Sequence, residues 1–105
     1  MKIINKDELR LLVLDGISTE ELKQYDYSHI SDMSNMFWNC TSLESIPLLD
    51  TSNVTNMNGM FNGATTFNQF LLGWCVTGIT TLPTDFDTDS ALTPANLPNW
   101  GVVCD

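Results

Sequence analysis

Positive charge is scarce in this sequence. Lys and Arg together number 4 against 13 Asp and Glu, a formal net charge of −9. Such a chain repels phosphate backbones, which argues against direct nucleic-acid binding. Anionic lipid heads repel it in the same way. Long apolar runs are missing too. Near the start the longest is Leu11–Leu14, and Asp15 ends it. That is too short for a signal-peptide core or a membrane span, so a cytoplasmic chain is expected.

Reactive side chains are equally sparse. Histidine occurs once, as His29, with no acid or thiol at a metal-binding spacing. There is no Gly-rich phosphate loop and no G-x-S-x-G elbow. Asp85, Asp87 and Asp89 alternate like a calcium loop but lack its Gly and distal Glu. The expectation is therefore no enzyme, no cofactor and no metal. The 3 cysteines cannot all pair, and no Cys-x-x-Cys occurs. Cys75 and Cys104 are a candidate disulfide that would tie down the C-terminus, though a reducing compartment would leave it open.

What is present is a repeat. Asp26-Tyr-Ser-His-Ile-Ser-Asp-Met-Ser-Asn-Met-Phe37 recurs as Asp50-Thr-Ser-Asn-Val-Thr-Asn-Met-Asn-Gly-Met-Phe61. A weaker third copy begins near Cys75, where Ile79, Leu82 and Phe86 follow Val54, Met57 and Phe61 at an offset of 25. Met57, Met60, Phe61 and Ala64 stand at i, i+3, i+4, i+7, as do Met33, Met36, Phe37 and Cys40. That spacing predicts a short helix in each copy. Ile46 and Leu48 then alternate with Ser45 and Pro47, and Phe70 and Leu72 with Gln69 and Leu71. That predicts short strands with Pro47 and Leu71 facing outward. The methionines read as core filler. Stacked copies of this kind bury a continuous core, with a short parallel sheet on one side and short helices on the other, an α/β repeat. Asn5 with Glu8, and Ser18 with Glu21, mark helix starts. The division expected is a helical N-terminal cap over 1–25, repeats over 26–49 and 50–74, and a partial repeat with a loop-rich cap over 75–105.

The pattern D-x-S-x-[IV]-x-x-M-x-x-M-F resembles the BspA-like leucine-rich repeat, the bacterial surface protein 26-residue repeat. The tail is similar to that family's ending, in Trp74-Cys-Val-Thr77, Leu82-Pro-Thr-Asp-Phe86, Ser90-Ala-Leu92, Trp100 and Cys104. The resemblance covers about 26–105. It implies a short α/β leucine-rich-repeat-like right-handed solenoid and roles in adhesion, host-matrix binding or protein contact at cell surfaces.

The function expected is a non-enzymatic protein-binding module. Its contact residues would be Ser45, Pro47, Gln69 and Leu71 on the sheet face. Tyr27 and Trp38 join them, because their counterparts Thr51 and Asn62 show that the repeat needs no aromatic there. The alternative is an acidic inhibitor, of the kind a phage would carry, that occupies the nucleic-acid channel of a host defence enzyme. Its contacts would be Asp85, Asp87 and Asp89.

Overall fold

Asn5 and Glu8 fix where the first helix starts. The structure, a computed structural model, describes residues 1–102. Strand β1 (Lys2–Ile3) leads into helix α1 (Lys6–Leu14), then a short helix α2 (Thr19–Leu22) and strand β2 (Tyr25–Asp26). The Asn5 side chain accepts the Glu8 N–H, and the Glu8 carboxylate accepts the Asn5 N–H. Two donors that the helix itself leaves unpaired are thereby satisfied. Ser18 and Glu21 make the same reciprocal pair at α2. Gly16, at φ 86°, ends α1 in the left-handed conformation that glycine adopts without penalty. α1 buries Leu9 and Val13. β1 runs parallel to β2, with Lys2 beside Tyr25 and Ile3 beside Asp26.

The remainder corrects the expected architecture. No α/β leucine-rich-repeat-like right-handed solenoid is formed. Among the described residues there is no α-helix after Leu22 and no strand after Asp26. The described residues there add a 3-10 turn, Pro94–Asn96, and an isolated bridge between Asp32 and Asn56. The radius of gyration is 12.8 Å and the extents are 35 × 32 × 19 Å. That radius is what a compact domain of this length should have, about 13 Å.

The backbone explains why the helical spacing gave no helix. Asn35 and Asn39 have φ of 55° and 56°, and their counterparts Gly59 and Gly63 have 68° and 78°. A left-handed residue at every fourth position cannot belong to an α-helix. The N–H groups instead divide by parity. Met33, Asn35, Phe37 and Asn39 donate to the carbonyls of Asn56, Asn58, Met60 and Asn62 in the next copy. Trp38 and Cys40 donate three residues back within their own turn. The i, i+3, i+4 apolar spacing survives because a chain of tight turns also brings those side chains to one side. Met33, Met36, Met57 and Met60 are all buried.

The third copy also differs from its expected register. Gly59, Phe61 and Gly63 donate to Thr84, Phe86 and Thr88. The left-handed positions recur at Asp85 and Asp89, so the true offset here is 26 rather than 25. Phe86 fills the place of Met60, and Pro83 is buried in the place of Met57. Leu82, expected inside, is 51% exposed. Asp87 stands where Phe61 would be, between the paired carbonyls of Phe86 and Thr88.

Phe61 is the centre of the core. Its ring stacks on Phe37 at 5.5 Å and on Phe67 at 4.4 Å, and meets Phe86 edge-on at 5.3 Å. Trp100 closes the far side, edge-on to Phe86 at 5.0 Å. Aromatic pairs in these arrangements contribute about 0.5–1.5 kcal/mol each beyond area burial.

Candidate functional site

The stretches expected to be strands are joined by side chains instead. Gln69 Oε1 accepts the Ile46 N–H at 2.8 Å, and Gln69 Nε2 donates to the Ile46 carbonyl at 3.1 Å. The Gln69 amide thus plays the part of a peptide group in a ladder. Pro47, with no N–H of its own, stops that ladder from continuing through the backbone. Thr66 Oγ donates to the carbonyls of Thr41 and Leu43, each at 2.9 Å. Buried polar backbone is satisfied without a sheet.

This change of linkage changes which side chains face outward. Ile46 and Leu49 go in, with Leu71 and Trp74 as their counterparts in the second copy. One extra residue there shifts the register from 24 to 25, and a one-residue shift inverts the side-chain faces. Leu71, expected on the surface as a contact residue, is 1% exposed. Leu48 and Phe70, expected inside, are 61% and 63% exposed. Ser45 is exposed and Pro47 half-buried. Gln69 is half-buried, and both ends of its amide are engaged by Ile46.

Beside Leu48 lies an open groove of about 480 Å³, whose walls include Leu22, Tyr27, Leu48, Asp50 and Gly73. Tyr27 is half-buried in its wall, and its hydroxyl accepts the Asp50 N–H at 2.8 Å. Burial pushes the Tyr27 phenol above its ordinary range; the Asp50 carboxylate adds to this, and the Asp50 N–H opposes it. Tyr27 therefore ties one copy to the next. Trp38 is 53% exposed and lies apart from these groove walls.

Asp26 and Asp50 open the two copies with the same turn. Asp26 Oδ1 accepts from Ser28 Oγ at 2.7 Å and from Ser28 N–H at 3.0 Å. Asp50 accepts from Ser52 in the same way. The Ser28 hydroxyl first, and then its N–H, hold the Asp26 carboxyl below its usual range. The folded state therefore favours the carboxylate. That stabilisation is complete above the unfolded value of about 3.9 and is lost as pH falls through the lower native value. Asp26→Asn should lower the urea midpoint at neutral pH, and the gap to the parent should close in acid. A gap that persists unchanged into strong acid would overturn this account.

Asp85 and Asp89 are exposed and Asp87 is half-buried. Their alternation has a backbone cause. Asp85 and Asp89 take the left-handed places held by Asn and Gly in the other copies, and Asp is among the few residues that tolerate that conformation. His29 is exposed in a turn. Among the described residues no three His, Cys, Asp or Glu side chains converge as a metal site. No helix among them is long and apolar enough to cross a membrane. Cys40 is a free thiol. The candidate Cys75–Cys104 bridge lies outside the described residues, because Cys104 does.

Residues 12–103 match the family model described as "Mycoplasma protein of unknown function, DUF285". That match takes in nearly the whole chain. The chain belongs to the DUF285 family. The family description assigns no activity. No curated protein and no solved structure matches the chain. The DUF285 match starts at Leu12, so Lys6 and Arg10 precede it. Those two cations make contacts that sequence reasoning missed. Lys6 Nζ donates to the Ser34 carbonyl, and Arg10 Nε to the Met36 carbonyl at 2.9 Å. Their i, i+4 spacing on α1 was visible in the sequence, but nothing there marked the carbonyls they would meet.

Proposed function

We propose that this DUF285 protein is a protein-binding module with no chemistry of its own, and that its contact face is the surface carrying Leu48 and Phe70. The supporting observation is the outward placement of two large apolar side chains, at 61% and 63% exposure, on segments joined by Gln69. Packing does not use them, and each leaves apolar area in water at a cost of about 25 cal/mol per Å² that a partner would recover. Apolar residues of this size at a polar-rimmed surface are the usual anchors of recognition. The neighbouring groove, with Tyr27 in its wall, supplies relief for a partner's side chain. The likeness to BspA-like repeats, whose roles are adhesive, is consistent with this reading.

Leu48→Ser/Phe70→Ser tests it. A partner crosslinked to the parent should be retained at least ten times less by the double variant, about 1.4 kcal/mol or more of binding. Asp85→Asn/Asp87→Asn/Asp89→Asn should retain it fully. Loss in the triple Asn variant with retention by the Leu48/Phe70 variant would replace this face with the acidic loop.

A further inference from the structure

The ladder between copies is directional. Along the turns, from Met33 to Asn39 and from Gly59 to Gly63, the earlier copy gives N–H groups and the later copy gives carbonyls; just before them Thr55 and Asn56 donate back to the Ser31 carbonyl. The ladder of these three copies then leaves carbonyls unmatched on one side and N–H groups unmatched on the other. On the first side the acceptors equivalent to Asn58 and Met60 are Ser34 and Met36. No fourth copy supplies their donors. Lys6 and Arg10, one turn apart on α1, do so instead. Lys6 also lies 3.9 Å from the Asp32 carboxylate. On the far side the donors equivalent to Gly59, Phe61 and Gly63 are the N–H groups of Asp85, Asp87 and Asp89. Among the described residues none of these three N–H groups has an acceptor.

These two edges are complementary by construction. Their donors and acceptors share the alternate-residue spacing that already joins the first copy to the second and the second to the third. An edge with this property is an association hazard, because identical molecules can join head to tail without closing. We infer that α1 is an assembly guard, in which Lys6 and Arg10 occupy the carbonyls that the 85–89 edge of a second copy of this chain would otherwise bind. Lys6 and Arg10 cover two of that edge's three carbonyls and leave the one of Trp38, the equivalent of Asn62; that is enough to block the register, because a head-to-tail contact needs both edges. The donor edge can then stay open without polymerisation. This inference does not depend on the Leu48–Phe70 face.

The test is Lys6→Met/Arg10→Met, which keeps the aliphatic stems and removes the donors. Sedimentation velocity should show the parent as an 11.7 kDa monomer at every concentration. The double variant should shift to faster-sedimenting species as concentration rises. It is two charges more negative than the parent, so association gained in this way runs against repulsion. Labelled parent mixed with excess variant should co-sediment with it, since the parent still carries an open donor edge. Lys6→Arg, which keeps a donor, should stay monomeric. A double variant with the parent's circular dichroism that remains monomeric would overturn the inference, as would a parent that associates equally. Should the double variant lose its fold, Arg10→Met alone, which frees only the Met36 carbonyl, is read by the same two outcomes.

Discussion

Phe61→Ala should destabilise the fold by about 3–5 kcal/mol, the range for removing a fully buried phenylalanine. Phe61 has no exposed surface, and its ring touches those of Phe37, Phe67, Trp74 and Phe86. Four of the largest core side chains would lose a neighbour at once, and they come from all three copies and the segments between them. The hole cannot collapse easily, because each wall is held by backbone bonds to its neighbour. A domain of this size has about 5–15 kcal/mol in total, so the variant should lose a large share of it. In urea the midpoint should fall sharply while the slope stays near that of the parent. Phe70→Ala is the contrast. With 63% of its surface exposed, it should change stability by no more than about 0.5 kcal/mol. Equal losses in the two variants would mean that the core is centred elsewhere.

That contrast also shows where the sequence was legible. The Asn5–Glu8 and Ser18–Glu21 signals are local, and local hydrogen bonds decide them; both helices start there. The apolar positions of the copies were legible because burial follows composition and spacing. The type of backbone was not. Met33, Met36, Phe37 and Cys40 carry helical spacing, yet Asn35 and Asn39 between them take the left-handed conformation. Asn permits that conformation without requiring it. A sequence with Gly at both places, as in the second copy, gives a stronger hint, and Gly59 and Gly63 were the signal available.

The outward face was illegible for a different reason. Whether Leu71 or Phe70 enters the core depends on one residue of register between Phe67 and Leu71. Both are apolar, so pattern alone cannot choose. What chooses is the Gln69 amide, which seats on both polar atoms of Ile46 and fixes the phase of everything after it. A long-range side-chain bond leaves no trace in local spacing. The acidic triad shows the converse. Alternation of Asp85, Asp87 and Asp89 suggested a ligand or a mimic, while the backbone conformation at Asp85 and Asp89 gives a sufficient cause for two of the three.

The left-handed positions carry the second large effect. Gly63→Ala should destabilise by about 1–2 kcal/mol from the backbone conformation alone, at φ 78°. Sterics add to that. A Cβ on Gly63 would lie 2.2 Å from Asn39 Oδ1 and 3.3 Å from Asn39 Cα. The side-chain oxygen can swing away but the Cα cannot, so some crowding remains, of the kind that costs about 1–3 kcal/mol. The two causes can be separated. Gly63→Asn supplies a residue that tolerates the left-handed region, so its loss should come mainly from the contact with Asn39. Adding Asn39→Gly removes that contact and keeps a residue suited to φ 56° at position 39. The swapped pair should therefore be more stable than Gly63→Asn alone by at least about 1 kcal/mol, the coupling energy expected of residues in contact. Urea midpoints of the four proteins measure the cycle. If Asn39→Gly fails to relieve Gly63→Asn, the glycine is required by its dihedral angle and the Asn side chain above it is a bystander. If relief is complete, copies of this repeat can exchange Asn and Gly freely, provided that no two neighbouring copies carry a side chain at the same place.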